Sequence, residues 1–475
     1  MRATASAGSR FDCGFPGSDS MTAMSVAGLT VRAAVASLLA ASLGLAAERQ
    51  VDHRVWLLAG VPDAGVVARL REANVRSVCL PAGKVTLGDG ISHFEADVPS
   101  DLGALSGSTI HAVVWVEGEL RRSGDPARFA VQLAAIEGKI GTGGSLILVS
   151  RRWGEGLVSF AADVARKLHR PVELALPLGE LLAHVPEGGW EGVRLVTFCF
   201  GNPEALALPS STTQDDRVGL DSLDVRNVSY RAAIVVLPRV TPPPGPAGAS
   251  VGMLTRAGVS TFQPGVNGDV FVLRRSLDWG GTLVSPGQRV EVDAYDTVRY
   301  HRDLGYVLRP ARAGLEGWDT VGLPGAEPTV GLSREALIDY LRGGGPAPAL
   351  AVESSWAGTK LNLVLTNPTP HASAVSSTGN WVELQVIPGQ VADVQMGDFN
   401  GLEFGRLDGG ALRPTVLREA SLLRFYLTFV APRVRVGGGS VTFTAKPTQP
   451  KARWGVRLGD GRDLVEETAI ELKPL

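Results

Sequence analysis

The fold is decided by residues 110–149, IHAVVWVEGELRRSGDPARFAVQLAAIEGKIGTGGSLILV. An apolar run at 110–116 is followed by a predicted helix and then by a second apolar run at 146–149. Asp125 and Pro126 open the helix, because Asp can cap a helix N-terminus and Pro can occupy the first helical position. A strand, a helix and a strand in this order are typical of a parallel sheet with helical crossovers.

The same alternation extends in both directions along the chain. A second helix is predicted over 157–168, where Phe160, Val164 and Leu168 share one stripe. Two crossovers are poor: 82–109 reads as an extra strand plus loop, and 204–231 is polar and rich in turns. The β-rich runs are 55–59, 77–80, 110–116, 146–149, 172–176, 195–200, 233–237 and, as the eighth, 270–273 or the 260–262 just before it.

Eight such runs favour an irregular (β/α)8 TIM-like barrel, with an open doubly wound sheet as the alternative. The open sheet would place a Gly-rich phosphate loop after its first strand, and residues 60–65 match that loop poorly. Beyond the barrel, short strands of period two separated by Gly, Pro and Asn turns predict an all-β sandwich domain.

A length of 475 residues allows two or three domains. We expect a leader, a barrel, a segment packing on the barrel, a Gly-rich and Pro-rich linker and the sandwich. The boundaries are 1–46, 51–275, 276–342, 343–348 and 349–475, in that order.

The leader reads as a secretion signal, because Arg32 precedes an apolar stretch at 33–45 that is followed by the small residues Ala46 and Ala47. A short membrane anchor is the weaker alternative, since a spanning helix needs about 18 to 20 apolar residues. We therefore expect export to the periplasm or the exterior, with no transmembrane segment after signal removal.

Composition excludes some partners and cofactors. Lys+Arg 46 against Asp+Glu 48 gives a net charge of -2, and no basic stripe stands out, so nucleic-acid binding is disfavoured. Cys79 and Cys199 sit in apolar runs and are expected to be buried thiols rather than a disulfide. Neither a metal site nor a cofactor site is predicted, since the histidines and cysteines lack ligand spacing.

In a (β/α)8 barrel the ligand site forms at the carboxyl ends of the strands. Aromatic rings beside carboxylates and arginines there are what a sugar-binding cleft uses, because a ring stacks on a sugar face while polar groups take hydroxyls. The strand ends supply the substrate-binding candidates Trp115, Arg151, Arg152, Trp153, Asn202 and Arg239.

Glycoside hydrolysis commonly needs two carboxyl groups that flank the scissile bond. Glu117, Glu119 and Glu204 are the catalytic candidates. The alternatives are that Glu117 and Glu119 are solvated acids paired with neighbouring arginines, and that Glu204 caps the next helix. Arg151 and Arg152 would bind an acidic sugar or form a surface pair.

A second polar cluster lies at 293–303, where Tyr295, Asp296 and His301 would complete the site if this segment folds over the barrel mouth. The alternative interpretation is a polar turn leading into a helix, with Asp296 as the N-cap.

The chain resembles an uncharacterised family of secreted bacterial proteins, a domain of unknown function described as glycoside-hydrolase-like barrels. The resemblance rests on the strand at 55–60, the strand-four region with helix 157–168, and the strand at 171–178, over about half the chain. It implies a barrel and a glycan-related role. The family's pattern has acids at the end of strand four, where residues 148–153 here contain none.

The sequence therefore predicts an exported protein that binds a carbohydrate or envelope glycan. Hydrolysis is left open by the missing acid at strand four. The alternative is a non-catalytic envelope scaffold whose barrel and sandwich contact a protein partner.

Overall fold

The structure is a computed structural model. It describes residues 51–469 except 89–90, 119–124, 141–142, 210, 244–252, 257, 265–268, 311, 326–330, 409–410 and 446–450. The predicted leader, 1–46, and the candidate Glu119 lie outside the described residues. The described residues belong to one compact unit.

The first part of the chain alternates strands with helices, as predicted. The strands are β1 (Asp52–Trp56), β2 (Ser77–Gly88), β3 (Ile91–Ala96), β4 (Thr109–Gly118), β5 (Leu146–Val149), β6 (Val172–Pro177), β7 (Val193–Gly201) and β8 (Tyr230–Val235). The helices are α1 (Ala64–Glu72), α2 (Pro126–Ile140), α3 (Glu155–Leu168), α4 (Leu178–His184) and α5 (Thr213–Val225). Short 3-10 turns lie at Gly103–Leu105 and Pro203–Leu206.

After β8 the chain leaves the barrel to form two small antiparallel sheets and then returns. Strands β9 (Arg239–Thr241), β10 (Ser260–Pro264), β11 (Asp269–Leu273) and β14 (Arg289–Asp293) form one sheet, and β12 (Leu277–Asp278) pairs with β13 (Leu283–Val284). Helix α6 (Thr297–Val307) and strand β15 (Leu315–Val321) follow, and α7 (Arg334–Leu341) packs on the barrel.

Eight parallel strands close into a barrel in the order β1, β2, β4, β5, β6, β7, β8, β15, because β1 pairs with both β2 and β15. The prediction of a (β/α)8 barrel is confirmed, and the open sheet is excluded by this closure. The second crossover is irregular because strand β3 stands where a helix would be, as the poor helical pattern of 82–109 indicated.

The prediction of the eighth strand is wrong. Residues 270–273 and 260–262 belong to β11 and β10, which pair antiparallel with each other outside the barrel. The eighth barrel strand is β15, so the barrel extends beyond residue 275. Its residues, LEGWDTV, carry Asp319 at an inward position, so β15 lacks the apolar run by which the other strands were recognised.

Polar side chains fill the barrel interior at the amino ends of the strands. The guanidinium of Arg54 donates to both oxygens of Asp319 at 2.9 Å and to the Glu173 carboxylate at 2.8 and 2.9 Å. Arg231 donates to Asp319 at 3.0 Å, and Ser145 donates to Glu173. A buried charge without a partner is strongly destabilising, so these ion pairs favour the one arrangement of the barrel strands that keeps them together.

Above this layer the interior is apolar, with Trp56, Val113, Ile147 and Phe198 among its members. Cys79 also lies inside the barrel, whereas Cys199 packs between strands and helices. Both cysteines are free and buried, which confirms the prediction of two buried thiols.

Among the residues that the structure describes, no helix is long and apolar enough to cross a membrane.

The sandwich consists of two antiparallel sheets that share one apolar core. One sheet holds β16 (Ala351–Ala357), β17 (Lys360–Thr366), β23 (Arg435–Phe443) and β19 (Val391–Gln395). The other runs β21 (Ala411–Pro414), β20 (Gly401–Asp408), β22 (Leu422–Tyr426), β18 (Trp381–Gln385), β24 (Lys451–Arg457) and β25 (Asp463–Ala469), with a 3-10 turn at Leu417–Glu419.

The polar layer predicts a strong stability effect at Asp319. Asp319→Ala leaves the buried Arg54 and Arg231 without a shared carboxylate, and breaking a buried ion pair costs about 3–5 kcal/mol. The free energy of unfolding measured in urea should be lower than that of the wild type by about this amount. The control Glu353→Ala removes an exposed ion pair with Arg435, and should cost no more than about 1 kcal/mol. Equal effects of the two variants would contradict the structural role assigned to this layer.

The same layer predicts a pH dependence at His111. Burial, with the nearby Arg54 charge, lowers the pKa of His111 to about 4, and the Ser145 backbone N–H donates to its Nδ1 at 3.1 Å. The folded pKa lies below the unfolded value near 6.5, so this histidine costs stability as pH falls from about 6.5 toward 4. When the pH is lowered from 7 to 5, the free energy of unfolding measured in urea should therefore fall by about 2 kcal/mol more for the wild type than for His111→Gln. A pH-independent difference between the two proteins would refute this assignment.

Candidate functional site

A β-bulge in β2 aims a lysine into the barrel mouth. Pro81 pairs with Val113 and Gly83 with Val114, so Ala82 is an extra residue in β2. Cys79, before the bulge, points into the barrel, whereas Val85, after it, packs outward. An extra residue reverses the alternation of side chains, and bulges commonly re-aim side chains next to functional sites. Lys84 consequently lies among the lining residues of the mouth.

Lys84 holds two glutamates near each other. Glu95 on β3 lies directly opposite Lys84, and its Oε2 is 3.6 Å from the Lys84 Nζ. The Oε2 of Glu117, on β4, is 3.7 Å from the same nitrogen. The distance between the two Oε2 atoms therefore cannot exceed the sum of these two distances.

A cavity of about 670 Å³ opens at the carboxyl ends of the strands and contains this cluster. Trp115 precedes Glu117 by two residues on β4, so the two side chains share the inward face, and Trp115 also packs against the apolar barrel interior. The described residues lining this mouth cavity are Leu58, Pro81, Gly83, Lys84, Glu95, Ala96, Asp97, Trp115, Glu117, Arg151 and Leu206.

Three residues predicted from the sequence come together in the mouth cavity: Trp115, Glu117 and Arg151. Arg151 follows β5, the fourth barrel strand, and its side chain is exposed. Its neighbour Arg152 is equally exposed but does not line the cavity.

The other candidates at the strand ends take structural contacts. Glu204 lies 3.4 Å from Arg239 in an ion pair, and neither residue lines the mouth cavity. The buried amide of Asn202 donates to the carbonyl oxygens of Leu237 and Asp293, at 2.9 and 2.8 Å. Asn202 thus fastens the inserted antiparallel sheet to the end of the sixth barrel strand.

Trp153 lies outside the cavity as well. Its ring stacks on His184, with ring centroids 4.0 Å apart, and its backbone N–H donates to Glu180 at 2.9 Å. These contacts join the loop after β5 to helix α4.

The cluster at 293–303 is not brought to the mouth cavity. Asp296 accepts a hydrogen bond from the Arg299 backbone N–H at 2.8 Å and caps helix α6, as the alternative interpretation held. Tyr295 is buried and donates to Asp303 at 2.7 Å, while the His301 Nδ1 lies 2.8 Å from the Tyr340 hydroxyl. Asp296 instead lines a separate cavity of about 260 Å³ between the inserted sheet and the sandwich.

Sequence reasoning missed Glu95 and Asp97 altogether and did not select Lys84. Lys84 and Glu95 belong to the hairpin of β2 and β3, and Asp97 directly follows that hairpin. The available signal was the extra strand in the second crossover, combined with Gly83. A Cβ on Gly83 would lie 2.1 Å from the Glu95 carbonyl oxygen, so only glycine allows this close pairing.

Fold and cavity together define a (β/α)8-barrel protein with a polar, Trp-lined cleft at its carboxyl end. The chain is similar to the spore cortex-lytic enzyme SleL of Bacillus megaterium QM B1551, with 10% identity over 57% of this chain and 70% of that chain, and a TM-score of 0.39. It is also similar to a Paenibacillus sp. cycloisomaltooligosaccharide glucanotransferase complexed with cycloisomaltoheptaose, with 8% identity over 82% of this chain and 84% of that chain, and a TM-score of 0.33.

No protein-family model matches the chain, and no curated protein matches it. The family resemblance therefore stays a prediction.

Gly83 provides a test of how the cleft is built. Gly83→Ala places a methyl group against the Glu95 carbonyl, at a φ of +141° that favours glycine. We expect a loss of at least about 2 kcal/mol in urea unfolding, because the strand pairing must shift. Gly88→Ala is the matched control, since nothing lies within 4 Å of a Cβ there. A Gly83→Ala protein as stable as Gly88→Ala would contradict the described hairpin.

Proposed function

We propose that this protein binds a carbohydrate in the mouth cavity of its barrel. The observation that carries the proposal is the grouping of Trp115 with Lys84, Glu95, Glu117 and Arg151 around one cavity at the carboxyl ends of the strands. This is where (β/α)8 barrels form their ligand sites. An aromatic ring beside side chains that donate and accept hydrogen bonds matches a sugar, which has apolar faces and hydroxyl edges.

The charges around the cavity also fit a sugar better than a polyanion. Glu95, Asp97 and Glu117 supply three carboxylates, against the two cations Lys84 and Arg151. Such a cavity would repel a nucleic acid, whose binding depends on neutralising phosphates. Arg151 is the cation without a carboxylate within ion-pair distance among the described residues, and would take a carboxylate or hydroxyl oxygen of the sugar.

Glycoside hydrolysis is the second candidate function, favoured by the pair Glu95 and Glu117. Because both carboxylates contact the Lys84 Nζ, at 3.6 and 3.7 Å, the distance between them has an upper limit. That limit is compatible with the spacing of roughly 5–5.5 Å and with the lower part of the spacing of roughly 6.5–9.5 Å that hydrolytic carboxyl pairs show. Two facts rank it below binding. The side chains of Glu95 and Glu117 are 60% and 48% exposed, whereas a catalytic acid is commonly kept protonated by an apolar setting. The end of the fourth barrel strand carries Arg151 rather than an acid.

Export belongs to the same proposal. It is supported by Arg32 and the apolar stretch at 33–45, which is typical of a secretion signal. An exported barrel would meet an envelope or environmental glycan. The rival function is a scaffold for a protein partner, in which the mouth cavity would bind no sugar.

Binding is tested on a glycan array followed by calorimetry on the best ligand. Trp115→Ala should weaken binding at least tenfold by removing the stacking surface, and Arg151→Ala should weaken it about three- to tenfold by removing a hydrogen-bond donor. Arg152→Ala is the matched control and should bind like the wild type. Absence of binding to every glycan, or equal losses in the Arg151 and Arg152 variants, would exclude the mouth as the sugar site.

Hydrolysis is tested on the same ligands by the release of reducing ends. Glu95→Gln and Glu117→Gln keep the side-chain shape but cannot exchange protons or attack, so each should lower the rate at least a hundredfold. Glu204→Gln, outside the cavity, should retain the wild-type rate. Binding without any release of reducing ends by the wild type would eliminate the hydrolytic candidate and leave the binding proposal standing.

A further inference from the structure

The outward face of the larger sandwich sheet carries a row of alternating charges. Hydrogen-bonded strand pairing puts five residues side by side across β20, β22, β18, β24 and β25. Because directly paired residues point to the same side of a sheet, their side chains form one continuous row. In order they are Glu403, Arg424, Glu383, Arg453 and Glu467. We call this the charge row.

The centre of the charge row is rigid. Glu383 has no exposed side-chain surface, although it lies on the outward face. Arg424 donates to its Oε2 from Nε at 3.0 Å and from Nη2 at 2.6 Å, and Arg453 donates to its Oε1 from Nε at 2.8 Å. Both guanidinium groups use the same edge on Glu383. The Nη1 atom of each is therefore directed away from that carboxylate, and the two side chains are 20% and 27% exposed.

A parallel row of aromatic and small residues lies beside the charge row. It consists of Gly401, Tyr426, Trp381, Gly455 and Val465 on the same five strands. The Trp381 ring lies over Gly455, where a Cβ would come within 2.6 Å of it. The Arg424 guanidinium carbon is 4.8 Å from the Trp381 ring centroid, and the Tyr426 hydroxyl donates to Glu403 at 2.6 Å. Val465, at the edge strand, is 47% exposed.

We infer that these two rows form a second carbohydrate-binding surface, specific for an uncharged sugar chain. The guanidinium groups of Arg424 and Arg453 lie at the centre of the charge row and the exposed carboxylates of Glu403 and Glu467 at its ends, so the surface both donates to and accepts from sugar hydroxyls. The adjacent row supplies apolar surface beside these groups. The ordering cost of binding is small because the central side chains are already fixed by Glu383 and Trp381.

Charge decides the class of ligand. Two arginines stand against three glutamates in the charge row, which leaves the row with an excess of one negative charge, and both arginines already share the Glu383 carboxylate. A uronic-acid chain or another polyanion would meet Glu403 and Glu467 at either end and be repelled. A cross-strand charge row also stabilises a sheet, but stability alone would not require partly exposed arginines and the exposed Val465 beside a fixed tryptophan.

The inference shares its ligand class with the mouth proposal but concerns a different surface, so the test separates the two. The full chain is titrated in the Trp115→Ala background, where the mouth is disabled. The probes are hexasaccharides of glucose and of N-acetylglucosamine, with a galacturonic acid hexasaccharide as the charged comparison. We expect one of the uncharged probes to bind this background protein and the charged one not to bind.

Two further variants in this background locate the binding. Trp381→Ala should weaken it at least tenfold. Val465→Asp should also weaken it at least tenfold, by placing a charge in the apolar row at an exposed position whose replacement leaves the core intact. Arg435→Ala, an exposed arginine on the opposite sheet paired with Glu353, is the control and should leave binding unchanged.

Retained binding in Val465→Asp, or binding of the galacturonic acid probe alone, would overturn the inference. So would the loss of all binding on Trp115→Ala, which would leave the mouth proposal intact. Conversely, equal affinity of the wild type and the Trp115→Ala protein, abolished by Val465→Asp, would support the sandwich surface and contradict the mouth.

Discussion

The structure depends on how Arg54 is satisfied inside the barrel. Arg54 lies on β1, the strand that closes the barrel by pairing with both β2 and β15. Its guanidinium reaches Asp319 on the eighth barrel strand and Glu173 on the fifth, so one side chain connects three strands across the interior. An unpaired buried charge costs several kcal/mol, so any arrangement of the strands that separated these three side chains would be strongly destabilised. The closed barrel satisfies all three groups at once. At the amino end of the barrel, Arg54, Glu173 and Asp319 are thereby held in one buried ion-paired arrangement.

At the carboxyl end of the barrel, by contrast, the charged side chains form loose ion pairs that are exposed to solvent. Lys84 is shared between Glu95 and Glu117 at 3.6 and 3.7 Å, and its side chain is 41% exposed. Loose, solvated ion pairs contribute little to stability, so a ligand can replace them at small cost. The bulge at Ala82 creates this difference, because it turns Lys84 toward the mouth while Val85 and Leu87 stay in the outer core. The buried ion pairs at the amino end are costly to break, whereas the solvated pairs at the carboxyl end can be exchanged for contacts with a ligand.

The sequence predicted those parts whose signal is local. Apolar runs alternating with capped helices gave the barrel, and residues directly after such runs, Trp115, Glu117 and Arg151, do line the cavity. The eighth strand was missed because its inward Asp319 pairs with Arg54, a contact between residues 265 positions apart. Glu95 was missed because its place depends on a bulge and on hairpin register, which single-residue patterns do not encode. Asn202 and Tyr295 show a related limit of sequence patterns, because polar residues near strand ends also make internal structural hydrogen bonds, as these two do.

The sandwich is attached to the barrel by specific contacts as well as by the segment that joins them. His371 of the sandwich lies 3.0 Å from Asp339 on α7 and 3.2 Å from Thr297 on α6, and Val298 of α6 packs into the sandwich core. Because these contacts fix the two domains together, a sugar chain bound on the outward sheet, as we infer, would stay near the barrel without the entropic cost of ordering a flexible linker. Two weak sites in such an arrangement act on one polymer with greater avidity than either has alone, provided the polymer spans both. The sandwich contributes none of the described residues that line the mouth cavity, so under this inference its part is to hold a second surface, around the half-buried Trp381, in a fixed position relative to the barrel.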